Sequence, residues 1–220
     1  MKTIKIALDG PSGSGKSTIA KILSAKLDIL YLDTGAMYRA TALKALKLGI
    51  DTFDEKGVLG FINDLKLEIK YENGKQQTYL DGENVSDKIR EPQVSMAASN
   101  ISSLKCVRLK MVEMQRKISE TTSCVLDGRD IGSYVLPNAD YKFYITAGVN
   151  VRAERRFKEL TEKGYNVDFD SLKKEIEERD YNDSHREFSP LVKAKDAIEI
   201  DTSNMTVEQV ISTIMSHIKE

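Results

Sequence analysis

At 220 residues, 40% apolar and 30% charged, the chain has the size and composition of one soluble globular domain with at most small excursions, and no apolar run is long enough for a membrane helix. Its 33 basic side chains against 34 acidic ones leave no net field to draw in nucleic acid or an anionic membrane, so any anion recognition has to be local. Cys106 and Cys124 form no CxxC and have no histidine at ligand spacing, which sets aside a zinc site or disulfide framework and leaves two buried thiols.

Met1-Lys2-Thr3 runs directly into an apolar stretch, Ile4 to Leu8, without a signal-peptide core or cleavage site, and a cytoplasmic protein is expected. The stretch ends at Asp9, a glycine-rich turn follows, and Ile19, Ile22, Leu23 and Leu27 then recur at helical spacing. Between that strand and that helix, Gly10-Pro11-Ser12-Gly13-Ser14-Gly15-Lys16-Ser17 satisfies GxxxxGK[ST] in the setting the motif requires. Its glycines let backbone N–H groups turn toward a polyphosphate, and the helix adds its positive dipole end. Lys16 is expected to bridge β- and γ-phosphate oxygens and the Ser17 hydroxyl to ligate Mg²⁺, with Gly10 to Thr18 forming the ATP site. An ordinary glycine turn is the competing reading and has little weight. The motif names the nucleotide and not the reaction; no NKxD guanine signature is present, and a motor or large ATPase would need more chain.

A second strand, Ile29 to Asp33, opens on Asp33-Thr34-Gly35-Ala36-Met37-Tyr38-Arg39 at the carboxyl edge, where α/β sheets bind ligands. Thr34 and Arg39 are candidates for a second phosphate, although seen alone the segment reads equally well as an N-capped helix with a solvated arginine. Gly49 looks like a helix stop and Asp54 an N-cap. From about residue 66 to 88 the helical rhythm breaks. Leu67-Glu68-Ile69-Lys70-Tyr71 alternates, Asn73-Gly74 signals a type I′ turn, Gln76 to Leu80 alternates again, and Asp81-Gly82 precedes Glu83-Asn84-Val85, which predicts a small antiparallel meander. On pattern alone it is a decorative insertion. Leu104, Val107, Met111, Met114 and Ile118 then draw one apolar helical stripe, read as core.

Further strands are expected at Cys124 to Asp127, Tyr141 to Ile145 and Ala197 to Asp201, separated by helices, so the class is α/β with a parallel sheet covered on both faces. Val125-Leu126-Asp127-Gly128-Arg129-Asp130 repeats the strand-end geometry, placing Asp127 as an outer partner of Mg²⁺ and Arg129 and Asp130 toward a cleft; a turn with a salt bridge is the alternative. Arg152, Arg155 and Arg156 share one helix face, and Arg179, Asp183 and Arg186 another, although charge on a helix is usually a solvated face. Gly164 reads as a stop between these helices, Pro190 as the end of the second, and His185 as a surface residue. Finally, Thr206 with Gln209 predicts a capping box before a helix that turns Val207, Val210, Ile214 and Ile218 inward.

GPSGSGKS, DTGAMYR, LDGRDIG and RDYNDSHREFSPL, in this order over nearly the whole chain and with the meander between them, closely resemble the bacterial cytidylate kinases, a branch of the nucleoside monophosphate kinases. The resemblance implies a P-loop NTPase-like five-stranded parallel sheet flanked by helices, with a small antiparallel β-insert in the NMP-binding region. Its divisions fall at a core of about 1–35, 104–150 and 186–220, an NMP-binding region of about 36–103 and a lid of about 151–185. It implies a monomeric cytoplasmic enzyme that moves the γ-phosphate of ATP, with Mg²⁺, onto CMP or dCMP, and no nucleic-acid or membrane partner.

Carried over by motif, Thr34, Arg39, Arg129 and Arg186 hold the acceptor phosphate, Arg179 and Asp183 contact the ribose, and Ser99, Arg108 and Asp130 read the base. The cytosine N4 amine can donate to Asp130 or Ser99, while N3 and O2 accept from Arg108. Uracil reverses two of these edges, at about 1 to 3 kcal/mol per unpaired buried group. Thr34 stands where the family often has serine and keeps the hydroxyl. Because the nucleophile is an anionic phosphate oxygen, no general base is needed, and Lys16, Arg152, Arg155, Arg156 and Arg186 are the expected catalytic cations. A nucleotide-sensing module that holds ATP without transferring it is the rival from another class.

Overall fold

The computed structural model describes residues 3–72 and 74–218. The expectations resting on Met1, Lys2 and Asn73 lie outside the described residues. In chain order the elements are β1 (Lys5–Asp9), α1 (Lys16–Leu27), β2 (Leu30–Asp33), α2 (Thr34–Lys47), α3 (Glu55–Ile62), β3 (Leu67–Glu72), β4 (Lys75–Leu80) and β5 (Glu83–Asn84). They continue with α4 (Pro92–Ile101), α5 (Lys105–Ser119), β6 (Cys124–Gly128), β7 (Tyr141–Thr146), α6 (Val149–Glu162), α7 (Phe169–His185), β8 (Ile198–Asp201) and α8 (Val207–His217).

The five expected strands form one parallel sheet in the order β2-β6-β1-β7-β8, and β3-β4-β5 form a separate antiparallel sheet. Central strand β1 carries Ile6, Ala7 and Leu8 with no exposed surface, as a strand covered on both faces must. Its register pairs Leu8 with Asp127 and Asp9 with both Gly128 and Tyr144, so β1 and β6 end together while β7 runs two residues further, and the glycine loop leaves from that carboxyl edge.

Contacts divide the chain into two compact units, one holding the described residues up to Leu30 and from Thr122 onward, the other Tyr31–Thr121. In the first, α1 buries Ile19, Ala20 and Leu23. Helices α6 and α7 pack through Ala153, Leu160, Leu172 and Ile176, with Phe157 and Phe169 edge to face at 5.8 Å. Helix α6 stops at Gly164 as expected: the N–H of Gly164 bonds Thr161 O and that of Tyr165 bonds Leu160 O, the paired bonds of a Schellman motif. Helix α7 does not continue to Pro190. It ends at His185 because the Asp183 carbonyl is taken by the N–H of Leu191 at 2.7 Å, which leaves Arg186 extended and off the helical face. His185 lies on the surface, stacked on Tyr181. The capping box of α8 is present, with Thr206 and Gln209 exchanging bonds, but the inward face is Val210, Ile211 and Ile214; Val207 is 39% exposed, and Ile218 is half-buried beyond the helix end.

In the second unit α2 is rich in alanine, which lets α4 pack closely on it. It ends on Gly49 in a second Schellman motif, with Ile50 N–H bonding Ala45 O at 2.9 Å. Asp54 precedes α3 as expected, but its side chain makes no capping bond. The stripe on α5 is more polar than its apolar spacing predicts: Val107 and Met111 are buried, Met114 and Ile118 only half-buried, and Arg108, Val112, Gln115 and Ser119 complete the buried side. Helix α5, grouped with the core in the sequence reading, clusters in this unit because it packs on α2 and α3. Of the thiols, Cys124 is buried and Cys106 only partly so. The meander closes through Asp81 and Gly82, both at positive φ (52° and 83°), as a type I′ turn demands.

Replacing Thr206 by Ala removes half of the reciprocal cap, and the expected cost is about 1 kcal/mol, or about 2–4 °C in Tm. Thermal melts of parent and variant test this, and an unchanged midpoint contradicts it.

Candidate active site

The glycine loop between β1 and α1 is dictated by close approach. A Cβ at Gly10 would lie 2.0 Å from the Ile145 carbonyl oxygen, and φ there is +144°, so no other residue fits where the loop leaves the sheet. Lys16 is buried and folds back over the loop, its Nζ donating to Pro11 O at 2.6 Å and Ser14 Oγ at 3.2 Å. Burial, followed by the positive charge of Arg129, holds its ammonium well below the ordinary lysine range. A polyphosphate would relieve both effects.

Ser17 Oγ donates to Asp127 Oδ2 at 2.6 Å, joining the start of α1 to the end of β6. A hydroxyl and a carboxylate are the hard oxygen donors Mg²⁺ takes, one directly and one through water. Among the described residues no group of three or more His, Cys, Asp or Glu is placed to hold a metal, so a cation here would complete its shell from water and phosphate.

The three α6 arginines go to different partners. Arg152 is 3% exposed and spans Ala147 O (2.8 Å), Ser12 O (3.1 Å) and the Asp180 carboxylate (2.6 Å), which makes it a wall of the phosphate loop. Arg155 binds Thr202 through Oγ1 (3.1 Å) and the carbonyl (2.8 Å). Arg156 is half-buried and pairs with Glu159 one turn along, at 2.8 Å. Thr202 in turn donates toward Ser14 O (3.2 Å) and Thr146 O (3.0 Å), so the residue after β8 backs the loop. Sequence reading missed it; its position just past a strand end was the available signal.

A second cluster forms where β6 ends. Arg129 donates from Nε to Asp183 Oδ2 at 2.8 Å, Arg186 lies 3.6 Å from Asp183 Oδ1 and 3.9 Å from Asp130, and Ser189 Oγ donates to Asp130 Oδ2 at 2.5 Å. Burial alone would raise the Asp183 pKa, but the charges of Arg129, Arg179 and Arg186 overcome it and hold the carboxylate below its usual range. Arg129 and Arg179 also act on Lys16, which brings this cluster within electrostatic reach of the glycine loop.

Asp9 was not singled out by the sequence, yet it ties the two parts together. It is buried at the end of β1, and its two oxygens accept the N–H groups of Ile131 and Gly132, each at 2.7 Å, at the start of a π-helical turn over Ile131–Val135. Burial pushes its carboxyl up to about 7 against the pull of those two amides.

In the other unit, Thr34 is buried at the first position of α2. Asp33 caps the helix by accepting from Ala36 N–H at 2.9 Å and pairs with Arg39 at 3.0 Å, and Arg90, unflagged by the sequence, stands 3.8 Å from the same carboxylate. Arg108 is 1% exposed, with its guanidinium 5.5 Å from the centre of the Tyr38 ring. It donates to Ser102 O at 3.3 Å, while Ser102 Oγ donates to the carbonyl of half-buried Ser99 at 2.8 Å, so one serine connects two of the expected base-reading residues.

Residues 6–220 match the profile of the family described as cytidylate kinase. A cytidylate kinase from Clostridioides difficile is 50% identical over 218 residues, covering 99% of this chain and 99% of that protein. One from Caldicellulosiruptor bescii is 48% identical over 215 residues, covering 98% and 95%. Among solved structures, an uncharacterized protein from Eubacterium ventriosum aligns over 98% of both chains with a TM-score of 0.53 at 15% identity, a likeness of fold alone.

The raised pKa of Asp9 carries a pH signature. Folded protein binds this proton more tightly than unfolded chain does, with about 7 against 3.8, so the group's contribution is full below about pH 4 and is lost as pH rises to about 7. Stability curves of parent and Asp9→Asn should therefore diverge across that window, the parent losing ground as pH rises; parallel curves would remove the shift.

Proposed function

The chain belongs to the cytidylate kinase family, and from that premise we propose that it transfers the γ-phosphate of ATP to CMP or dCMP, releasing ADP and CDP or dCDP. The observation that carries the reading is the arginine cluster around buried Asp183 lying within electrostatic reach of Lys16, since phosphoryl transfer needs cationic sites for both donor and acceptor phosphates. The residues of Gly10 to Thr18 bind ATP. Ser17, with Asp127 behind it, holds Mg²⁺, which neutralises charge on the phosphates when bound.

Lys16 exchanges its loop carbonyl for phosphate oxygens, a partner that favours the charged ammonium. Arg152 shapes the loop from Ser12, and Arg155 and Arg156 supply further cations from α6. Thr34, Arg39, Arg129 and Arg186 take the acceptor phosphate, Arg179 and Asp183 the ribose, and Ser99, Arg108 and Asp130 the base. The attacking oxygen is already anionic, so positioning and charge neutralisation carry the rate and no side chain has to accept a proton. The enzyme acts as a monomer in the cytoplasm; no helix of the described residues is long and apolar enough to cross a membrane.

An ADP-release assay with CMP, dCMP, UMP and AMP side by side tests this. CMP and dCMP should drive release and AMP should not, whereas tight ATP binding with no acceptor-dependent release would favour a sensor. Lys16→Ala should lower turnover by about 10³-fold or more while leaving the fold intact by circular dichroism, and near-normal turnover in that variant would sink the role given to the loop. Asp130→Ala should narrow the CMP over UMP ratio of kcat/KM by about fivefold or more, because the carboxylate that prefers an N4 amine to O4 is gone. An unchanged ratio takes Asp130 out of base recognition.

A further inference from the structure

The insert sheet β3-β4-β5 has no part in the chemistry assigned above, yet two of its side chains reach the segment that carries the acceptor residues. Tyr71 and Gln76 stand directly opposite each other in the β3–β4 register, so both leave the same face. Gln76 Oε1 accepts from the main-chain N–H of Asp33 at 2.8 Å, and its Nε2 donates to the main-chain oxygen of Asp33 at 3.3 Å. Tyr71 Oη donates to the main-chain oxygen of Tyr31 at 2.8 Å. Tyr31 and Asp33 are two apart in β2, so these groups all belong to one edge of that strand, and β2 is outermost in its sheet. The insert thus satisfies with side chains an edge that another strand would otherwise pair.

Gln76 holds both main-chain groups of the one residue whose carboxylate also caps α2 and pairs with Arg39. The packing around that pair is close: a Cβ at Gly35 would lie 3.2 Å from Asp33 Oδ1 and 3.3 Å from Arg39 Nη1. Arg39 Nε is buried without a hydrogen-bond partner, so the guanidinium keeps donor capacity for an incoming anion. A planar amide fixed at two points stops the Asp33 peptide from rocking, and the orientation of its carboxylate sets that of the guanidinium.

We propose that Gln76 is a positioning residue for the acceptor phosphate, acting through the Asp33 main chain and carboxylate on Arg39. The inference rests on the assignment of Arg39 to that phosphate. Gln76→Leu keeps the volume and removes both bonds. It should raise KM for CMP by about 5- to 30-fold, leave KM for ATP within about twofold, and lower the melting temperature by only about 2–8 °C. In an Arg39→Ala background the same substitution should change KM for CMP by less than about twofold, because the path it acts through is already cut. An unchanged KM for CMP in Gln76→Leu, an equal effect in both backgrounds, or a matching rise in KM for ATP each overturns the proposal.

If Gln76→Leu fails to fold, Gln76→Glu keeps an acceptor for the Asp33 N–H and loses the donor to its carbonyl. It should raise KM for CMP in the same direction, and no rise counts against the proposal. Without any acceptor present, ¹⁵N NMR of the parent and Gln76→Leu should show the Asp33 amide losing exchange protection and the Arg39 Nε–H signal moving. If the parent fails to phosphorylate CMP while these signals change, the functional reading falls and the link from Gln76 to Arg39 stands. Static signals overturn the link itself.

Discussion

Guanidinium groups withdrawn from solvent need partners, and in both units of this protein most of those near the site find them in carboxylates. Asp183 pairs with Arg129 and lies beside Arg186, Asp180 takes Arg152, and Asp33 takes Arg39. Each arginine is held in a defined rotamer by a partner that a phosphate can share or displace. The cost of dehydrating the cations is met during folding, so a phosphate meets oriented donors with little left to arrange. The lysine of the glycine loop follows the same logic with a weaker partner, a backbone carbonyl.

The second constraint is the parallel alignment of β1, β6 and β7. Because these neighbouring strands all run the same way, residues far apart in sequence share one carboxyl edge: Asp9 reaches Ile131 and Gly132, Ser17 reaches Asp127, and Arg152 reaches Ser12. The π-helical turn that follows Asp130 is fixed at its entry by Asp9, so the strand that launches the glycine loop also orients the segment carrying Arg129 and Asp130. Loop and arginine cluster are therefore set by one piece of backbone.

Much of this was legible because it is local. The glycine motif, five strands, the turn at Asp81-Gly82, the stops at Gly49 and Gly164 and the capping box at Thr206 each depend on a few neighbouring residues, and each appears within a residue or two of its expected place. What was missed depends on distant partners. Spacing on α5 suggested an apolar stripe, yet Arg108 and Gln115 are buried among it, since a cation stacked by Tyr38 and bonded to Ser102 leaves no periodic trace. Helix α7 was expected to run to its proline, but a bond from Leu191 closes it first. Asp9, Thr202 and Gln76 are ordinary residues until the strands bring their partners alongside, across sequence separations of 122 for Asp9 and Ile131 and 188 for Thr202 and Ser14.

The wall formed by Thr202 and Arg152 has a consequence for how the protein is made. The glycine turn leaves the ribosome well before the groups that back its Ser12 and Ser14 carbonyls, which lie 140 and 188 residues further along the chain, at Arg152 and Thr202. A nascent chain therefore carries an unsupported turn until both groups have been added, and the nucleotide has no finished cradle to enter before Thr202 is in place.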